Sequence, residues 1–553
     1  MKENQIHRFR VNKDMFFDAI YDGESISLVS PGNIKEDQIM FEVMDDIVYI
    51  LIGKLPYVFI DTKTGNIVYE ETIPTTMIRN SGQLKEAKEK KDYLKNFQTY
   101  FESLNNKSDS KDNLLELHTH FMEVLSGEEF FDLVKDKVKY ISFNENDELV
   151  SSYPYDENRP TNIKMGPKTY SIDEVLNNQD LYNKVVKDLS IDSSKQVQFE
   201  EISKVLHRRT ALIELVSYYK AISQVKFSEE NRQHNWKKAI DELRSQIRRD
   251  FYFDMLVASL KSLSKQGVKY VEFSYSTAGS ITSLIDRFRN YKIDEDISFN
   301  FLYSVHRTKR LSSFKKDCVG SNSKSRKECL ESVLPILIEC GVTGFDLMGM
   351  ESEITRNDYY PSINDINGTL YDKLYTVIKI LTMYEDKKLT LRLHAGEVFY
   401  DTNLDTSIII DERNNNPQKT LEIVDIVIND LNLERKKQGM KDLIPPNIRI
   451  GHGLHFKKSQ KYIDLLKKYN VIVEINASSN FALSNINNLK DIPYNWYLEN
   501  DIPVVLSTDG GGFYLTTPTT EMELAEIFGK KKVVGEVMKT NQDLLPKFKG
   551  GTR

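Results

Sequence analysis

The sequence predicts an α/β fold, a parallel (β/α)8 TIM barrel with a small β-rich N-terminal segment and a long insertion after the first strand. Three observations predict it. Eight short apolar runs recur from residue 114 onward, each ends in polar or glycine residues, and helix-length segments separate them. Pattern alone leaves an open doubly wound sheet as the competing arrangement.

Taken in order, the runs are Leu114–Leu117, Val268–Phe273, Ile297–Leu302, Val342–Leu347, Leu389–Leu393, Ile448–Ile450, Val471–Ile475 and Val504–Leu506. They place the barrel in residues 113–553. Residues 1–112 read as a β-rich extension, with strand-like runs at Asp46–Ile52, Tyr57–Ile60 and Ile67–Tyr69. A charged helical stretch from Gln83 to Leu104 follows, and Asn105–Asn113 reads as a solvated linker. Between the first and second runs lies an irregular stretch rich in Asn, Asp, Tyr and Pro, about residues 141–192, then helical sequence through Leu263. An insertion on the strand-end side offers a lid over a pocket or an oligomer surface, which leaves a homo-oligomer open.

Composition narrows the class. Hydrophobic residues at 40% and charged residues at 28% describe an ordinary globular chain, and a net charge of −7 has the wrong sign for a general nucleic-acid binder. The first thirty residues lack a basic start before an apolar core, and no run of about 18 apolar residues occurs, so neither a secretory leader nor a membrane span is expected. Cys318, Cys329 and Cys340 are odd in number and match no common zinc spacing, which favours a reducing cytoplasm over a disulfide scaffold.

The chemistry gathers at the ends of the runs. His118 and His120, two apart on a strand, point to the same side and can reach one ion. The fifth run ends in His394-Ala395-Gly396-Glu397, where a desolvated and unpaired carboxylate at Glu397 would be held protonated and act as a general acid. The sixth continues into Gly451-His452-Gly453, and the eighth into Ser507-Thr508-Asp509 followed by Gly510, Gly511 and Gly512. Each alone has a plain structural explanation: a solvated pair, a packed histidine, or carboxylates at helix starts. All of them at one end of barrel strands, where active sites of this architecture are built, point to a metal centre. Histidine nitrogens with a carboxylate oxygen suit Zn²⁺.

These motifs resemble those of the adenosine deaminase family of metal-dependent hydrolases, in order, from about Leu114 to about Thr519. His118-Thr119-His120, His394-Ala395-Gly396-Glu397, Arg449-Ile450-Gly451-His452-Gly453 and Ser507-Thr508-Asp509 carry the likeness. Gly267–Ser274, Gly344–Gly349 and Glu474–Asn480 support it. The resemblance implies a zinc-dependent deaminase of an adenine nucleoside or nucleotide, with His118, His120, His394 and Asp509 as zinc ligands. It further implies Glu397 as the acid on the purine ring nitrogen, His452 as the residue that orients water and takes its proton, and Gly349 as a backbone contact to the purine. Zinc would lower the pKa of a bound water from about 16 toward about 7.

Two substrate-contact positions depart from the family. A second aspartate usually follows the last-strand aspartate, and here that position is Gly510; an Asp-Gly usually follows the His-x-His, and here Met122 and Glu123 stand there. The triple glycine offers an anion-binding turn for a phosphate. The altered positions leave open hydrolysis of another amino-purine, or a silent nucleotide-binding sensor or assembly subunit. The retained acid and base argue against the silent reading.

Overall fold

The computed structural model describes seven strands between residues 6 and 70. Within 114–548 it describes all residues except 157–158, 192–198, 225–234, 308–325, 350, 352–353, 355, 362–367, 398–414, 484–485, 487–488 and 530–531. The chain divides into two compact units, Met1–Ser103 with Tyr400–Asp411, and Leu104–Phe399 with Glu412–Arg553.

The second unit is built on eight parallel strands. They are β1 (Leu114–His120), β2 (Val268–Tyr275), β3 (Ser298–His306), β4 (Gly344–Met348), β5 (Thr390–Ala395), β6 (Asn447–His452), β7 (Ile472–Ile475) and β8 (Val504–Leu506). Each is hydrogen-bonded to the next in chain order. The ends meet just beyond β8: His120 N donates to the Asp509 carbonyl and Asp509 N to the His118 carbonyl, both at 2.8 Å. A barrel rather than an open sheet results, so the sheet has no free edge there.

Strand alternation sets what faces where. On β1, Leu115 and Leu117 pack with Tyr270, Val505 and Leu544 of the helix Lys532–Phe548, and Glu116, His118 and His120 take the other face. Between β1 and β2, the stretch read from sequence as irregular is ordered. Strand Tyr140–Phe143 pairs antiparallel with Lys168–Ser171, and Tyr155–Asp156 with Arg159–Ile163. The strands are only two to five residues long, which hides their period. Helix Ile172–Asn177 then starts on a capping box in which Ser171 and Glu174 satisfy each other's backbone N–H. The long helices Phe199–Gln224 and Asn235–Lys265 complete the crossover.

The first unit holds two antiparallel sheets. One comprises Ile6–Arg10, Phe16–Tyr21 and Ile26–Ser30; the other is a meander of Ile39–Met44, Ile47–Ile52, Leu55–Asp61 and Ile67–Glu70. The charged stretch Gln83–Leu104 and the linker after it lie outside the described residues, as does Cys318. Among the described residues, no helix is long and apolar enough to cross a membrane.

Candidate metal centre and active site

The C-terminal ends of β1, β5 and β6 and the turn after β8 bring His118, His120, His394, Glu397, His452 and Asp509 together. One ligand atom from each of His118, His120 and His394 lies within 4.8 Å of the others, and the same holds for His118, His452 and Asp509. Asp509 Oδ1 sits 3.3 Å from both His118 Nε2 and His120 Nε2. His118 Nε2 and Asp509 Oδ1 are buried without hydrogen-bond partners, so two lone-pair atoms converge on one space. That is the environment a divalent cation satisfies, and the mix of imidazole nitrogen and carboxylate oxygen fits zinc. The cage opens on the His120 side: that side chain is 17% exposed, against 0% for His118 and 5% for Asp509.

The backbone is held in an unusual state to make this cage. His452 and Asp509 both have left-handed φ, +68° and +67°. Non-glycine residues there carry strain of about 1–3 kcal/mol each, which the surrounding structure must over-determine. Gly451 makes room beside them, because a Cβ there would run into the His118 ring, 2.9 Å from Nδ1.

Behind the cage lies a buried layer of charge. Asp346 on β4 stands 3.2 Å from His394 Nε2, turning Nδ1 of that ring toward His452 and Glu397. Glu474 on β7 stands 2.9 Å from His118 Nδ1. Arg392 bonds Asp346 at 2.7 Å and the Leu117 carbonyl at 2.7 Å, and Arg449 reaches Glu474 at 3.0 Å and also pairs with Glu272. Tyr270 donates to Glu272 at 2.8 Å and Ser274 to Asp346 at 2.6 Å. All these groups are buried. Partners behind metal-ligating histidines orient the rings and tune their basicity. Burial, then the Arg392 charge, lowers the His118 pKa to about 4, so its ring stays neutral and able to ligate. Burial alone would raise Asp346, but Arg392 and His394 hold it well below the ordinary carboxylate range.

Glu397 is not the unpaired acid expected from sequence. Its Oε2 lies 3.1 Å from His452 Nε2 and 3.5 Å from His394 Nδ1. Burial would push its pKa up, but the neighbouring His452 charge outweighs that and holds it below its usual value. Burial lowers His452, yet Glu397 raises it to about 9. The two form a close buried pair. His452 Nδ1 is 3.0 Å from Asn480 Oδ1, a carbonyl oxygen that only accepts, so Nδ1 carries a proton and Nε2 faces the site. Glu351 receives the backbone N–H of Gly396 and of Glu397, each at 2.9 Å, and fixes the peptide that presents the acid.

Three further positions, Gly349, Met122 and Gly510, were expected from the sequence to contact substrate. Gly349 ends β4 with φ +104° and is half-buried. Met122 is half-buried, and its carbonyl receives Arg209 Nη1 at 2.9 Å. Gly510 faces Glu123, whose carboxylate would stand 2.7 Å from any Cβ at 510. The triple glycine, expected to form an anion-binding turn, has the Glu123 side chain against its first residue, and Gly512 is needed because a side chain would collide with the Leu125 backbone.

Residues 442–530, spanning β6 to β8, match the family model described as adenosine deaminase. The adenosine deaminase of Enterococcus faecalis is 26% identical over 188 residues, 34% of this chain and 40% of the relative. That of Plasmodium falciparum is 32% identical over 75 residues, 14% of this chain and 20% of the relative. Over these segments the chain is similar to the adenosine deaminase family. Its matches span less than half the length of these two relatives. Among solved structures, the apo N6-methyl-AMP deaminase of Arabidopsis thaliana superposes with a TM-score of 0.42 at 15% identity, covering 79% of this chain and 96% of that one.

Within the barrel, Asp346, Glu351, Arg392, Glu474, Asn480 and Glu123 are the residues of this cluster that reading from sequence left without roles. Asp346 and Glu474 carried a signal, since each is a lone carboxylate inside a fully apolar run. Glu351 carried none, because its partners are backbone N–H groups brought from another strand end.

Proposed function

We propose that the barrel is a zinc-dependent hydrolytic deaminase acting on an adenine nucleoside or nucleotide. The observation that carries it is the contact of the Glu397–His452 pair with the histidine cage, 3.1 Å between Oε2 and Nε2, with His394 Nδ1 3.3 Å from the same Nε2. His118, His120, His394 and Asp509 would hold the ion. When bound, zinc supplies the acidity that makes water a nucleophile near neutral pH.

The side chains supply the proton traffic. The proton on His452 Nε2 passes to Glu397 Oε2, and Glu397 delivers it to the ring nitrogen beside the amino-bearing carbon. That carbon becomes electrophilic, and His452 Nε2, now neutral, takes a proton from the attacking water. His452 then returns this proton to the departing amino group. Ammonia leaves, and the remaining hydroxyl proton restores the pair. Burial of Glu397 and His452 keeps these transfers inside the site. Gly349 and Met122 are assigned to the substrate wall.

The test is ammonia release by metal-analysed protein against adenosine, deoxyadenosine, AMP, dATP and ATP. Release from at least one is expected. Silence with all five at full zinc occupancy overturns the reading.

A further inference from the structure

The chain leaves β5 through a corner with His394 on one side and Glu397 on the other. The ladder between β5 and β6 ends at Ala395, which pairs with His452. Beyond it, the N–H groups of Gly396 and Glu397 turn to a side chain for their acceptor. Gly396 takes φ +94°, and a side chain there would collide with the Leu454 backbone. A buried N–H must find a partner, so whatever replaces the ladder decides where the acid stands.

Two neighbouring strands supply the replacement. Glu351, beyond the end of β4, accepts the Gly396 and Glu397 N–H groups on separate carboxylate oxygens, each at 2.9 Å. Asn416 Nδ2 donates to the same carboxylate at 3.1 Å. Arg307, the residue after β3, grips the other side of the corner: its Nη2 donates to the His394 carbonyl. Arg307 is itself anchored by its backbone. Its N–H donates to the Met348 carbonyl at 2.8 Å, and its carbonyl accepts from the buried Lys373 Nζ. Glu351 and Arg307 are 3% and 5% exposed, so water does not compete for either grip. Burial pushes the Arg307 pKa down and the Glu351 pKa up, and in each case the other residue is the first charge opposing the shift.

We propose that Arg307 and Glu351 are positioning residues, an opposed pair that grips the β5 exit by its carbonyl and by its N–H groups and so sets the reach of Glu397 toward His452. The proposal rests on the deaminase reading and adds to it which residues hold the acid in line. Misplacing a reacting group by about 1 Å can cost about 10²-fold in rate, so a grip this close to Glu397 acts on kcat rather than on binding.

The test uses Glu351→Gln, Arg307→Met, the double variant and the milder Asn416→Ala, each checked for zinc content and melting temperature. Glu351→Gln keeps the size of the side chain but removes one of its two acceptor oxygens. In Glu351→Gln and in Arg307→Met, kcat is expected to fall about 10- to 100-fold, with KM changed less than about 3-fold and zinc content unchanged. The double variant should lose less than the product of the two single losses, because both residues hold one corner. A kcat within twofold of wild type in either single variant, or a loss carried by KM or by zinc content, overturns the proposal. Where those variants do not fold, Asn416→Ala decides: a fall in kcat of about 3-fold supports the grip, and an unchanged kcat overturns it. A second readout needs no turnover. In zinc-loaded protein carrying isotope-labelled histidine, the His452 ring signal, assigned by its loss in His452→Gln, reports the Glu397 oxygen 3.1 Å away. That signal is expected to shift in Glu351→Gln and in Arg307→Met, and an unchanged signal overturns the proposal. A wild-type protein that releases no ammonia while the signal shifts defeats the deaminase reading alone.

Discussion

The ligand cage and the rim above it are held by different means. In the cage, side chains are backed by buried partners from other strands: Asp346 behind His394, Glu474 behind His118, and Asn480 behind His452. Arg392 and Arg449 tie those carboxylates to one another across the barrel. At the rim, Arg209 holds the turn after β1 by its backbone carbonyls, which leaves the side chains of Met122 and Glu123 free to differ. Removing one partner from a buried charge network costs about 3–5 kcal/mol, because it leaves a charge unpaired. The difference teaches that the chemistry is locked into the strands and the choice of substrate is left to the turns.

Substitutions can break that contrast, beginning with the cage itself. His394→Ala should lose bound metal and with it all ammonia release above background, measured by elemental analysis beside a turnover assay. A variant that keeps its metal would show that His394 is not a ligand. Next in size, Glu397→Gln should keep metal and fold while kcat falls about 10²- to 10⁴-fold, the usual worth of general acid catalysis. Near-normal turnover would move the acid elsewhere. Asp346→Asn probes the layer behind the cage. Metal affinity, read by competition with a chelator, should weaken about 10- to 100-fold, and an unchanged affinity would reduce Asp346 to a packing role.

The smallest effect lies away from the cage and sharpens the contrast by pH. Glu521 accepts the Ala477 N–H at 2.8 Å and the Thr516 hydroxyl at 2.9 Å. Burial raises its pKa from 4.5 to about 7, against those hydrogen bonds. A raised folded-state pKa contributes stability that is full below the unfolded value and is lost as pH rises through the folded one. The melting temperature of Glu521→Gln relative to wild type should therefore shift in the variant's favour between pH about 4.5 and about 7. A difference constant over that window would show that Glu521 does not titrate there.

Much of this was readable along the chain. His118 and His120 share a strand face, and Glu397 follows His394 by three residues, so spacing alone groups them. The eight apolar runs were readable because strands buried on both faces are short and apolar. The insertion was misjudged as irregular because its hairpins are brief, so period-2 alternation does not develop. The pairing of Glu397 with His452 was not readable for another reason: the neighbour comes from the next strand, and no reading of one segment contains it.

The sequence by itself determined the eight alternating strands and the identity of the side chains at their ends, since periodicity and ligand chemistry are local properties. Only the tertiary structure decided that the barrel closes, that Glu397 and His452 pair, that Asp346 and Glu474 stand behind particular histidines, and that Glu123 fills the room beside Gly510. Those facts depend on which strand ends closure brings within hydrogen-bonding distance, and charge interactions among buried groups are set by that distance.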